Sequence, residues 1–273
     1  MNDSPLQFHF EEDIHLVKNS LVEAWLEIQW HLEDAPETGL KLDPDFDIAI
    51  GLFNQHVKDK FPFRKPLDAA RIPSEMLPHV VRYQFRKSDQ DWPILQLGPG
   101  VATVNSTYDY TWPSFRDQAL YLREKITASY EYPLKPKAII LRYRNALSFN
   151  YNSGDVLRFL EQSLHISLRY PLSIPGVAAG MDSPSGLNMI SSFDLREDIG
   201  KGTLQIATGK YKPETEETDA IIFQLEVAAN ESNVPSLDNE SKFAEWLNLA
   251  HRVLHDWYFS LIDGTLRTQF EGK

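Results

Sequence analysis

His251 and His255 are the pair whose types and spacing point most directly at chemistry. Four residues apart on a helical pattern, two imidazoles share one face and could bind one metal ion. A zinc-protease helix needs a Glu directly after the first His to act as base, and Arg252 stands there. No other His or carboxylate is tied to the pair by spacing. Both flank an apolar stripe, where histidines pack and hydrogen-bond, so they read as structural, and neither a metal nor a cofactor is expected. Two glycine pairs, Gly98-Pro99-Gly100 and Gly200-Lys201-Gly202, lie between strand patterns, whereas a phosphate loop joins a strand to a helix. They read as hairpin turns. Asp43, Asp45 and Asp47 resemble a cation cluster, but at a helix start they serve capping and the macrodipole, with Asp43 as N-cap. There is no GxSxG elbow, no Walker loop and no cysteine. No catalytic residue is assigned.

One polar constellation remains. Arg82 and Arg86 alternate on one strand pattern, Arg142 and Arg144 on another, and Glu23 and Glu27 on a third, beside Trp25, which points away from its strand's apolar face. Guanidinium groups in such a row suit carboxylate or phosphate forks. The plainer reading is a cross-strand salt-bridge lattice. Arg82, Arg86, Arg142, Arg144 and Trp25 are the candidate binding residues, joined by Asn145. That last residue is expected to end its strand, where its amide could instead cap the turn before Ser153.

The elements that must carry these residues are legible from periodicity. VEAWLEIQWHL alternates strictly and predicts a long strand with one buried face. Phe46, Ile50, Phe53 and Val57 predict a helix, followed by a Pro-rich irregular connection over 62–78. VVRYQFRK, WPILQL and VATVNS predict three strands, and Phe115, Ala119, Leu122 and Ile126 a helix capped by Thr111. KAIILRYRN begins the second half. A short helix capped by Ser153 follows, then a second Pro- and Gly-rich connection over 171–186, three more strands, and a long amphipathic helix from near Asp238. Each half reads strand, helix, broken connection, three strands, helix. The fold expected is α+β: mostly antiparallel sheet with helices on one side, in two pseudo-repeated halves, 1–132 and 133–273, sharing one core.

Composition narrows the function classes. The 273 residues carry 27 Lys and Arg against 39 Asp and Glu, a net charge of −12, which disfavours nucleic acid and anionic membranes. The N-terminus lacks a basic segment followed by an apolar run, and no stretch is apolar enough to span a bilayer. A cytoplasmic protein is the expectation.

The landmarks ILQLGPGVATVN, YTWPSF, ILRYRN, IIFQLEVAAN and LNLAHRVLHDWYFSLI, from Ile94 to Ile262, resemble those of an uncharacterised, sporadically distributed bacterial family of about this length. Its most distinctive feature is the Arg-Tyr-x-Asn strand element, here Arg142 to Asn145. Where that family tends to an acidic alternation, this chain keeps only Glu226. The resemblance implies a bacterial accessory protein, of the kind carried on mobile or defence islands, and brings no catalytic residues. The reading that follows is a non-catalytic interaction or regulatory subunit whose partner is another protein or a second copy of the chain. Two alternatives stand beside it: an enzyme whose site is scattered through the sequence, and a nucleic-acid binder using the arginine face.

Overall fold

The computed structural model describes residues 7–11, 14, 16–34, 39–107, 109–151, 155–169, 184, 186–196, 198–212, 217–230 and 233–272. In chain order the elements are β1 (Leu21–Trp30), the small hairpin β2 (Glu33–Asp34) and β3 (Lys41–Leu42), α1 (Phe46–Val57), β4 (Phe63–Pro66), β5 (Tyr83–Arg86), β6 (Ile94–Gly98), β7 (Val101–Ser106) and α2 (Trp112–Thr127). The second half follows with β8 (Pro136–Ser148), α3 (Val156–Leu164), β9 (Asn188–Asp194), β10 (Lys201–Tyr211), β11 (Thr218–Asn230), α4 (Glu240–Ile262) and α5 (Thr265–Glu271).

Nine strands form one sheet in the order β4-β5-β6-β7-β1-β8-β11-β10-β9, and every neighbouring pair is antiparallel. The seam is β1 against β8, the opening strand of each half. Outward from the seam the first half runs β7, β6, β5, β4 and the second runs β11, β10, β9. In both, the opening strand pairs with the last strand of its half. Hairpins rather than crossovers make the rest, which is why the sheet is antiparallel.

Period-two alternation sorts side chains between the faces. Ala24, Leu26, Ile28 and Trp30 of β1 face the helices, opposite Tyr143, Leu141 and Ile139 of β8. These meet Phe53 of α1, Phe115, Ala119, Leu122 and Ile126 of α2, Leu160 of α3, and Phe243, Leu247 and Leu254 of α4 in one continuous core. The core spans both halves, so the boundary near residue 132 separates stretches of chain and not separate cores. At the β6–β7 turn Gly100 takes a positive φ of 72°, as a two-residue hairpin requires.

Three local expectations are corrected. The helix α1 starts at Phe46 with Asp45 at its N-cap, and Asp43 does not cap it. Asp43 is buried instead, accepting from Trp30 Nε1 (3.1 Å), the Gly100 backbone N–H (3.0 Å) and the Tyr130 hydroxyl (2.9 Å). Burial pushes its carboxyl above the usual range against the pull of those donors. The 62–78 connection is less irregular than its prolines imply. It holds β4, an edge strand ending in a residue without an N–H, and two short 3-10 turns at Asp68–Arg71 and Ser74–Met76. The cap of α3 is Asp155, whose carboxylate accepts from the N–H groups of Leu157 and Arg158. Ser153 and most of the 171–186 connection lie outside the described residues.

Candidate ligand site

Each polar region of the sequence has a place on this sheet, and the two faces differ. On the face away from the helices, Glu23, Trp25 and Glu27 of β1 stand beside Arg142 and Arg144 of β8 and Gln224 and Glu226 of β11. Arg142 bridges two carboxylates, donating from Nη1 to Glu27 at 2.9 Å and from Nε to Glu226. Arg144 reaches Glu23 and Gln224 at 3.5 and 3.4 Å. Both guanidinium groups also lie over the Trp25 ring, 5.4 and 4.9 Å from its centroid. Strand parity turns Trp25 outward, and the two guanidinium groups cover its ring there.

The other candidate residues are elsewhere. Arg82 and Arg86 belong to the β5 region, four strand positions from β8 and so about 19 Å away. Arg86 lies over Trp92, 5.5 Å from the ring centroid, and donates to Gln84. Arg82 is not on an open face: it is 5% exposed, and its Nε and one Nη have no hydrogen-bond partner among the described residues. Asn145 is corrected in two respects. It sits inside β8 rather than at its end, and odd parity with Tyr143 turns it to the helix-covered face, where Ser20 Oγ donates to its Oδ1 at 3.1 Å.

That inner face carries the most developed polar constellation. β8 brings Tyr143 and Asn145 beneath α4, whose residues 251, 255, 258 and 259 recur at helical spacing and form one stripe. The approach to α2 adds Tyr110, Thr111 and Trp112. Between them lies a cavity of about 400 Å³, completed by Ile14, Leu16 and Asn19 of the N-terminal arm and by Leu21. The arm lies along α4 because the Asp256 carboxylate accepts from the backbone N–H groups of His9 and Phe10, and Arg252 donates to the Phe10 carbonyl. Burial raises the Asp256 carboxyl, and its bonds to His9 and Phe10 outweigh that, leaving it below the usual range.

A buried hydrogen-bond chain crosses the cavity wall. The Tyr110 and Tyr143 hydroxyls are 2.7 Å apart, and the Tyr143 hydroxyl is 2.8 Å from His251 Nδ1. Either direction of donation satisfies both links. Trp112 lies flat on the His251 ring. A second chain runs from the Tyr258 hydroxyl through Ser20 Oγ to Asn145. Burial, reinforced by His255 and Arg252, lowers His251 to about 3, while burial raises both Tyr143 and Tyr110 well above the phenol range. Burial and Arg252 lower His255 to about 4. Of the thirteen described residues around the cavity seven carry rings, and none of the thirteen is Asp, Glu, Lys or Arg.

The His251 Nδ1 is taken up by the Tyr143 hydroxyl, and among the described residues there is no group of three His, Asp or Glu placed to hold a metal ion. Sequence reasoning missed Tyr110, Tyr143, Trp112 and Tyr258. A signal existed in β8, where Tyr143 and Asn145 follow Ile139 and Leu141 at core parity, because a polar group at a core position needs a buried partner.

No family model matches the chain, and no curated protein does. Among solved structures, the di-domain ARO/CYC StfQ from the steffimycin biosynthetic pathway aligns over 92% of this chain and 100% of that one, with 11% identity and a TM-score of 0.23. An overlay of that quality assigns neither fold nor chemistry. Among the described residues no helix is long and apolar enough to cross a membrane.

Proposed function

We propose that the protein is a non-catalytic regulatory subunit that binds an apolar small molecule in the cavity under α4 and acts in the bacterial cytoplasm on another protein. The observation that carries this reading is the cavity itself: about 400 Å³, lined among the described residues largely by rings and by no charged side chain, where both halves of the chain meet. Ligand pockets have this size and this mix of apolar wall with a few placed polar groups. Proton chemistry fits the site poorly. A general acid or base works best near the operating pH, and burial moves His251 and Tyr143 away from neutrality in opposite directions. The family resemblance supports the accessory setting. The arginine face is a weaker contact surface than its sequence suggests, since Arg142 and Arg144 already pair with Glu27, Glu226 and Glu23.

The test is to purify the tagged chain from the organism that encodes it, denature it, and identify released small molecules by mass spectrometry. Thr111→Trp, at the exposed rim of the cavity, is the blocked control. A molecule released from the wild type and missing from the variant is expected. Identical release from both, or chemical change of that molecule on incubation with the purified protein, would defeat the reading.

A further inference from the structure

The two edges of the nine-stranded sheet are finished differently. β4 is four residues long and sets Arg64, Lys65 and Pro66 along its rim. Brevity, charge and a missing N–H are the usual guards against another strand adding to an edge. β9 has none of them: it runs seven residues, NMISSFD, with no proline and one charge, at its last position. Ile190 is 63% exposed and Phe193 47% exposed, on opposite faces of the strand. β10 takes one side of the β9 backbone, and among the described residues no strand takes the other. The ladder shows which groups are left over. Leu195 N–H donates to the Gly200 carbonyl, and the Leu187 carbonyl accepts from the Thr208 N–H, so Met189, Ser191 and Phe193 share that parity and turn their backbone groups to β10. Asn188, Ile190, Ser192 and Asp194 turn theirs outward.

We propose that a second copy of this chain adds to β9 edge to edge, antiparallel about a two-fold axis at Ser191. The strand is self-complementary in that register. Asn188 stands opposite the second copy's Asp194, an amide facing a carboxylate, and Met189 stands opposite the second copy's Phe193. Ile190 faces Ser192, and Ser191 faces itself. Every pair off the axis occurs twice, as an isologous contact demands. Backbone parity points to the same register independently: the outward residues 188, 190, 192 and 194 meet outward residues of the second copy, so each facing pair can exchange both its hydrogen bonds. On the helix-side face the Met189 sulfur comes to the Phe193 ring, which already stands edge-on to Trp257 with centroids 5.4 Å apart. On the other face the two Ile190 side chains become diagonal neighbours across the axis, within reach of each other. A slip by one residue sets outward backbone groups against inward ones. A slip by two, in either direction, loses the Met189–Phe193 pair.

The chain has no cysteine, so single substitutions report the register directly. Ser191→Cys places two thiols across the axis in a pair without backbone bonds, whose Cα atoms stand about 4.5 Å apart, inside disulfide range. Asp194→Cys places them at opposite ends of the ladder, about 20 Å apart. After mild oxidation of the full chain, non-reducing gels should show a disulfide-linked dimer for Ser191→Cys and at least about tenfold less of it for Asp194→Cys. Ser192→Pro removes one outward N–H and leaves the bonds to β10 in place. Sedimentation equilibrium over a dilution series should show a wild-type dimer, and association at least about tenfold weaker in the proline variant. A wild type that stays monomeric throughout, with Ser191→Cys left uncross-linked, would overturn the proposal. So would a dimer that Ser192→Pro does not weaken, or equal cross-linking at 191 and 194, since association would then run through another surface. Should the proline variant fail to fold, the two cysteine variants decide.

Discussion

Trp112 lies parallel to His251, with ring centroids 3.8 Å apart and planes 9° from each other. Trp112 is the first residue of α2 and His251 lies midway along α4, so the stack fastens the closing helix of one half to that of the other. It also fixes the imidazole plane, which presents Nδ1 to Tyr143.

Removing the middle hydroxyl of that chain should be expensive. Tyr143→Phe keeps the ring but leaves the Tyr110 hydroxyl and His251 Nδ1 without their shared partner. The expected loss is about 2–4 kcal/mol in urea unfolding, from two buried groups at about 1–2 kcal/mol each. Tyr110→Phe, which orphans less, should cost about half as much. Equal losses would contradict the central place of Tyr143.

Acid should destabilise the fold well before carboxylates titrate. His251 and His255 ionise near 3 and 4 in the folded chain, below the ordinary 6.5 that the unfolded chain recovers. Protons therefore bind the unfolded state first. The stabilisation is fully present above about pH 6.5 and is lost as pH falls toward 4 and then 3, at about 1.4 kcal/mol per pH unit for each histidine. Urea midpoints between pH 7 and pH 4.5 would show the slope. Replacing His251 with Phe should reduce it by roughly half.

Asp43 should prove a structural keystone of the first half despite carrying an unfavourable buried charge. Asp43→Ala orphans Trp30 Nε1, the Tyr130 hydroxyl and the Gly100 N–H together, and should lower stability by about 3 kcal/mol or more. Asp43→Asn keeps an acceptor oxygen and removes the charge, so a markedly smaller loss is expected. Thermal melts of the two variants make the comparison.

The two arginines of the outer face should separate stability from contact. Arg142 is 19% exposed and joins Glu27 to Glu226, so Arg142→Glu gathers three carboxylates and should cost about 2–4 kcal/mol. Arg144 is 43% exposed, and Arg144→Glu should cost no more than about 1 kcal/mol. Loss of an acidic protein partner in Arg144→Glu, with stability unchanged, would locate a contact there.

How much of this was legible depended on whether a residue's role was local. Alternation in 22–32 and the 4-3-4 spacings in 46–57 and 115–126 depend only on neighbours along the chain, and those elements formed as read. Asp43 was misread because its partners, Trp30, Gly100 and Tyr130, are 13, 57 and 87 residues away. At short range a carboxylate before a helix looks like a cap. Arg82 was placed on an open face by alternation, which gives the side of a sheet and not what covers it. The cavity was invisible for the same reason: its wall comes from the N-terminal arm, the entry to α2, β8 and α4, which meet only once β1 and β8 have paired.

That seam has a practical consequence. The chain between α2 and β8 is short and is exposed at residues 131–133 and 135, while the bond between the halves is a full strand ladder, from Leu21 opposite Asn145 to Trp30 opposite Pro136. A single cut between 131 and 135 would leave two polypeptides, each ending or beginning beside the strand that recognises the other. Co-expressed, they should reassemble as a two-chain complex, and because the cavity draws its walls from both fragments, whatever fills it would act as a glue whose presence is read directly as the strength of their association.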